Sequence, residues 1–412
     1  MKENPTLSKK TAAGALASGS ITAILGAAFL LATSSIGPGF LNNTVSYTKQ
    51  FMGSLGIIIV ICVLLDIVVH QNIWRIVCYK GRRGQDIANE LKPGLGYVIV
   101  VLMSVAGFIS NVGNVGGVSL AIRVFADIDV VTATLIGGFL ALIVYLFKNV
   151  KAAMDKLTIF LGGLMILLCF FVMIKCAPPV SRLVTDVQEL DWGTTITPII
   201  ALLGGTAGSY LSLAGPHRLV DAGVTGPENQ TLVKKSSLLG CGVGAAMRIL
   251  VFLCALGALS IAGDAYDPSS PAASVFAAGA GKLGSLLFGV VLFAAAITSV
   301  VGCSYTCVSV LKSLHPVVEK HEKVFLLAWI ICPTLVMALV GQPAAMMILV
   351  GVFGGMIMPV VLAIILLAGT NKRVMGAEYK HSRVLLVLGW IVVIVMGFSA
   401  IRSIPNLLTI FQ

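Results

Sequence analysis

Two short motifs, Ile36-Gly37-Pro38-Gly39 and Ala214-Gly215-Pro216-His217, cut into otherwise apolar runs. Proline removes a backbone donor and clashes with the preceding turn, so a helix is expected to unwind at each. Around the first lie Ser34, Ser35, Asn42, Asn43 and Thr44. Around the second lie Ser209, Ser212 and His217. These are neutral oxygen donors and one imidazole, with no carboxylate and no methionine at either motif. Oxygen ligands suit a hard cation such as Mg2+, which gives up its water reluctantly. Thioether or thiolate would instead select softer metals. The bland alternative is that Ser, Thr and Asn only satisfy the backbone groups freed by the breaks.

The surrounding chain decides where such a site would sit. Of 412 residues, 58% are hydrophobic and 11% charged, and the mean hydropathy is +1.00. Soluble domains carry about 25% charged residues. The composition therefore implies an all-α polytopic membrane protein, and the alternating pattern of a membrane barrel is absent. The nine cysteines fall largely in apolar runs and do not read as a secreted disulfide framework. Cys303 and Cys307 share a helix face, but two ligands alone make no zinc site.

Runs of about 20 apolar residues mark spanning helices. They are placed near 21–49 (broken), 52–77, 97–123, 129–147, 157–176, 195–222 (broken), 237–262, 283–311, 324–341, 344–369 and 383–401, which makes 11 transmembrane helices. With residues 1–20 as a cytoplasmic N-terminal segment, most Lys and Arg fall on the inner side. Topology and anionic lipid thus account for the net charge of +11, and no nucleic acid is implied. The same assignment puts the C-terminus outside a cell membrane. The breaks fall in spans 1 and 6. An odd number of spans per unit inverts the second, so residues 21–176 and 195–369 read as a LeuT-type 5+5 inverted repeat with helix 383–401 added.

Paired interruptions in two halves of a chain point to a transporter's substrate site. The first half-helices would end near Ile36 and Leu213, turning their carbonyls toward the midplane and favouring a cation. The second halves would begin near Phe40 and His217, where N–H groups favour an anionic group. The backbone alone leaves open a metal cation or an amino acid coupled to Na+ or H+. Two further charges lie inside spans, Asp66 in the second and Arg248 in the seventh; an ion pair between them is the leading reading, with separate solvation at a cavity and direct metal binding by Asp66 as alternatives. His-Glu-x-x-His is absent, and Ser209 or Ser212 with His217 has no neighbouring acid, so no enzyme is expected.

At these residues the chain resembles the NRAMP family of divalent-metal transporters, with Gly26–Phe40 and Gly204–His217 the closest stretches. The resemblance implies that Gly37 stands where the family has its metal-binding aspartate and Gly215 where it has its selectivity methionine. Phe40 replaces the family's asparagine, a role that Asn43 one turn later is placed to take over. Ser34 and Ser212 match positions whose backbone carbonyls serve the metal. Asn111 and Asn114 replace acidic residues of the proton pathway, and Gly351 replaces a glutamine. Loss of thioether, carboxylate and titratable groups together resembles the branch of NRAMP-related magnesium transporters. That branch implies passive, uncoupled transport of a partly hydrated Mg2+ or Mn2+ as substrate, by a monomer in a lipid bilayer without cofactors. The proton-coupled Mn2+/Fe2+ transport of the wider family is the alternative.

Overall fold

The computed structural model describes residue 26 and residues 36–208, 211–262, 266–312 and 314–405. Ser34, Ser35, Ser209 and the expected first half of span 1 lie outside the described residues, apart from residues 26 and 36. The described chain is helical. Its principal helices are α1 (Pro38–Phe51), α2 (Leu55–Lys80), α3 (Leu95–Phe125), α4 (Val130–Leu146), α5 (Lys148–Cys176), α6 (Ile196–Gly204), α7 (Leu211–Asp221), α8 (Gln230–Ala262), α9 (Pro271–Leu311), α10 (Glu322–Val340), α11 (Pro343–Thr370) and α12 (Arg383–Ser403). Among the described residues, seven segments are long and apolar enough to cross a membrane, Pro38–Lys80 counting as one of them. Val130–Leu146, Phe160–Cys176 and Trp192–Gly204 are shorter apolar helices.

Three apolar clusters hold the bundle together. The largest joins α2, α3, α6, α11 and α12. A second packs α1 with α5, α8 and α9, and a third links α3, α4, α9 and α10. Large apolar side chains such as Leu339, Ile174, Phe160 and Phe139 stand exposed on the outside. Such a surface fits lipid rather than water. Gly281, at φ +65°, splits α9 into two legs, a conformation that a side chain would disfavour.

Among the described residues, a helix starts where the first proline predicts one. Gly37 is extended (φ −95°, ψ −176°), and Pro38 takes the first helical position of α1, where its missing N–H costs no bond. The second break does not lie at Ala214–His217. Residues 211–221 are helical through Pro216, and the helix ends earlier, at Gly204. Glycine supplies the cause. Gly204 and Gly208 lie directly on the backbone of α11, where a Cβ on Gly354 would fall 2.6 Å from the Gly204 carbonyl oxygen. Thr206, between them, turns its hydroxyl back to the carbonyls of Leu202 and Leu203 (3.4 and 3.2 Å). Three glycines and a backbone-competing threonine within five residues disfavour helix more than one proline does near a helix start. The second half-helix therefore begins at Leu211, not near His217, and the first ends at Gly204, not near Leu213.

Candidate functional site

Helix α1, just after the first break, packs against α3, α6, α8, α9 and α11. Pro38 rests on Gly117 of α3, where a Cβ would come within 2.7 Å of the ring Cγ. Among the described residues, no atom lies within 4 Å of the Gly37 Cβ position.

One turn on, Asn42 and Asn43 are buried. Their amide nitrogens donate to backbone carbonyls of α11, Asn42 to Ala344 (3.4 Å) and Asn43 to Met347 (3.2 Å). Those bonds fix which end of each amide points where. Both Oδ1 atoms are left buried without a hydrogen-bond partner. Buried oxygens are ordinarily satisfied, so two orphans on adjacent residues mark a place for a ligand or its water. Asn43 also lies close to Gly351 of α11: its Nδ2 is 3.0 Å from where a Gly351 Cβ would stand, a position that also faces the Ala201 carbonyl of α6.

The second break brings charge that the motif-based reading did not foresee. A cavity of about 10 Å³ is lined by Thr206 from the break, Cys62, Val63 and Asp66 from α2, and Gly240, Cys241, Gly244, Ala245 and Arg248 from α8. The expectation of no carboxylate at either break is corrected by this placement, because the break has moved toward Asp66. The expected ion pair does not form either. Asp66 Oδ1 lies 3.3 Å from Nδ1 of His70, one turn along the same helix. Arg248 instead lays its guanidinium over the Phe40 ring, 4.5 Å from the centroid. Its Nε has no partner, and among the described residues no carboxylate stands within 4.0 Å of it. The two charges share a cavity without touching.

The remaining expected site residues fall elsewhere. Gly215 faces the indole of Trp74, against which a Cβ would collide. His217 accepts the Gly84 backbone N–H at Nε2 (2.9 Å), capping the start of the short helix Gly84–Leu91. Ser212 is buried in the first turn of α7. Asn111 donates to Ser304 Oγ (3.0 Å) and to the Trp329 carbonyl (2.6 Å), locking α3 to α9 and α10. Asn114 lies one turn nearer the break on α3, half-buried. A wider cavity of about 280 Å³ opens beyond it, between the end of α3 (Leu120, Arg123, Val124) and the segment from Asp267 to Ser285. His70 and Cys241, which the structure joins to Asp66, were not singled out together by sequence. Only the i, i+4 spacing of Asp66 and His70 could have signalled half of that cluster.

The family model for Natural resistance-associated macrophage protein-like proteins matches residues 28–405. The uncharacterized membrane protein YcsG of Bacillus subtilis (strain 168) is 42% identical over 386 residues, covering 94% of this chain and 95% of that protein. An uncharacterized membrane protein of Haemophilus influenzae is 40% identical over 391 residues, 94% of this chain and 97% of its own. Among solved structures, the Eremococcus coleocola manganese transporter bound to an aromatic bis-isothiourea compound superposes with a TM-score of 0.69 at 19% identity. That match covers 93% of this chain and 86% of the transporter. At that identity the likeness speaks to fold.

Proposed function

The chain belongs to the NRAMP family, and from that premise we propose that it carries divalent metal ions, Mg2+ foremost and Mn2+ second, across a membrane without proton coupling. The observation that carries this reading is the pair of buried, unpartnered Oδ1 atoms on Asn42 and Asn43 beside the first break. They are neutral oxygen donors of the kind a hard, partly hydrated cation accepts. No atom of the described residues lies within 4 Å of the Gly37 Cβ position, which supports a retained water there. The cavity at the second break holds one carboxylate and one guanidinium, so its formal charges offset each other and no excess negative charge competes to strip the hydration shell.

The absence of coupling is supported by Asn111. Its amide hydrogens are committed to Ser304 and Trp329, so it ties helices together and carries no titratable proton. Entry then runs down the electrochemical gradient, where a divalent ion gains about 4.6 kcal/mol per 100 mV. The reading includes eleven spans in a 5+5 inverted repeat plus one helix, in the cell membrane, as a monomer. The N-terminus is cytoplasmic and the C-terminus extracellular.

Proton-coupled Mn2+ or Fe2+ transport is the second reading, favoured by the Asp66–His70 pair at the other cavity. Proteoliposomes holding a Mg2+ dye or a pH dye separate the two. Mg2+ uptake without internal acidification is expected. Acidification that tracks metal entry would select the second reading, and no divalent uptake at all would reject both.

A further inference from the structure

We propose that Asp66, His70 and Cys241 form a second, buried site for a transition-metal ion of the Zn2+ or Co2+ class, separate from the oxygen-lined position between the breaks. Asp66 and His70 share one face of α2 at i, i+4, and Cys241 approaches from α8. One ligand atom from each lies within 4.8 Å of the other two, and all three residues are buried. A tetrahedral ion with bonds of about 2.0–2.3 Å spaces its ligands by about 3.3–3.8 Å, so the three side chains must turn and draw inward to close on one.

Two unpartnered atoms point to an occupant. Nδ1 of His70 lies 2.9 Å from the Asp66 backbone carbonyl. A carbonyl can only accept, so Nδ1 carries the hydrogen and Nε2 the lone pair in the neutral ring. That Nε2 is buried without a partner. An imidazole oriented through one nitrogen by a carbonyl, with the other free, is the usual arrangement of a metal-binding histidine. Asp66 Oδ1 is also without a hydrogen bond, because the one N–H beside it is directed to the carbonyl.

The cavity lined by Asp66 and Cys241, with His70 outside its lining, measures about 10 Å³. That is close to the room needed for one water, which would complete four-coordination. Nitrogen, sulfur and oxygen together suit borderline transition metals and not Mg2+. On binding, Cys241 releases its proton, so thiolate and carboxylate balance the two positive charges. The bound ion would tie α2 to α8 beside Thr206 in the second break, and Zn2+ is therefore expected to slow uptake of the transported ion.

Co2+ titration of the purified full chain in detergent tests the site by binding alone, independently of any transport reading. A thiolate-to-Co2+ charge-transfer band should grow to saturation at one equivalent. Zn2+ should bleach it, and millimolar Mg2+ should leave it. Cys241→Ser should abolish the band, and His70→Gln should weaken Co2+ binding at least tenfold. No band at excess Co2+, or a band that survives in Cys241→Ser, overturns the proposal. If Cys241→Ser does not purify as a monodisperse protein, alkylation of Cys241 in the unaltered chain is read by mass spectrometry. Zn2+ should protect Cys241 there, and His70→Gln should remove the protection. Equal labelling with and without Zn2+ overturns the proposal by this route.

Discussion

The indole of Trp74 fills the space that a side chain on Gly215 would need: a Cβ there would lie 2.6 Å from Cη2 of the ring. Trp74 is fully buried on α2, so the ring has nowhere to go. The glycine that the family resemblance sets at a metal-selecting position is thus a packing contact between α2 and α7. Gly215→Ala is expected to destabilise the protein by about 1–3 kcal/mol through overpacking. Thermal unfolding in detergent checks it, and Trp74→Leu in the same chain should recover most of the loss. A Gly215→Ala protein with an unchanged midpoint would show the contact to be looser than described.

Gly37 makes the opposite case, since among the described residues nothing lies within 4 Å of its Cβ position. Gly37→Asp should fold normally and place a carboxylate beside the first break. Direct coordination would replace a retained water, so Mn2+ affinity should rise about tenfold, or about 1.4 kcal/mol. Isothermal titration reads this directly; equal affinity in the two proteins would remove Gly37 from the site.

Asn43→Ala removes both an unpartnered oxygen and the bond to the Met347 carbonyl. Mg2+ flux in proteoliposomes should fall at least tenfold, with a stability loss of about 1–2 kcal/mol from the lost hydrogen bond. Flux at the level of the unaltered protein would refute the oxygen-donor role.

Asn111→Asp puts an acid back where the resemblance implies one. The carboxylate cannot donate to the Trp329 carbonyl as the amide does. The carbonyl loses its shorter donor and keeps only the Ser304 hydroxyl at 3.2 Å, so a cost of about 1–3 kcal/mol is expected, without any gain of proton flux. Metal-linked acidification in this variant would reveal a proton route that the asparagine merely blocks.

His381, in the loop before α12, supplies a pH dependence. Asn72 donates its amide hydrogens to Val68 and Leu385, so its Oδ1 accepts from His381 Nε2 (2.7 Å), while Nδ1 lies 2.7 Å from the Tyr379 hydroxyl. Burial, and then the nearby Arg75 guanidinium, push the imidazole from 6.5 down to about 4. Between those values the unfolded chain binds the proton and the folded one does not, so stability rises with pH. The contribution is complete above about 6.5 and is lost as pH falls toward about 4. Thermal midpoints across that window should drop less steeply in His381→Gln; parallel curves would assign the dependence to other groups.

Much of the helical outline was legible because long apolar runs have few alternatives in a chain of this hydropathy. The helix start at Pro38 was legible too, since Gly37-Pro38 sets it locally. The second break was misplaced because its cause is tertiary. Gly204 and Gly208 unwind where they meet the backbone of α11, and nothing local weighs that against the conspicuous Pro216. With the break set at Pro216, nothing ties Asp66 to it, and an ion pair with Arg248 is the leading reading. The structure instead gives Asp66 to His70 and Arg248 to the Phe40 ring. The face of α2 that meets α8 could not be fixed from a helix apolar on nearly every side.

The glycine seam between α6 and α11 has a mechanical corollary. With Gly204 and Gly208 set against Gly351, Gly354 and Gly355, main chain touches main chain, and the side chains nearest the seam are those of Ile200 and Asn43. The two helices are therefore coupled at that junction through their backbones, and a side chain added to any of these glycines would have to part them.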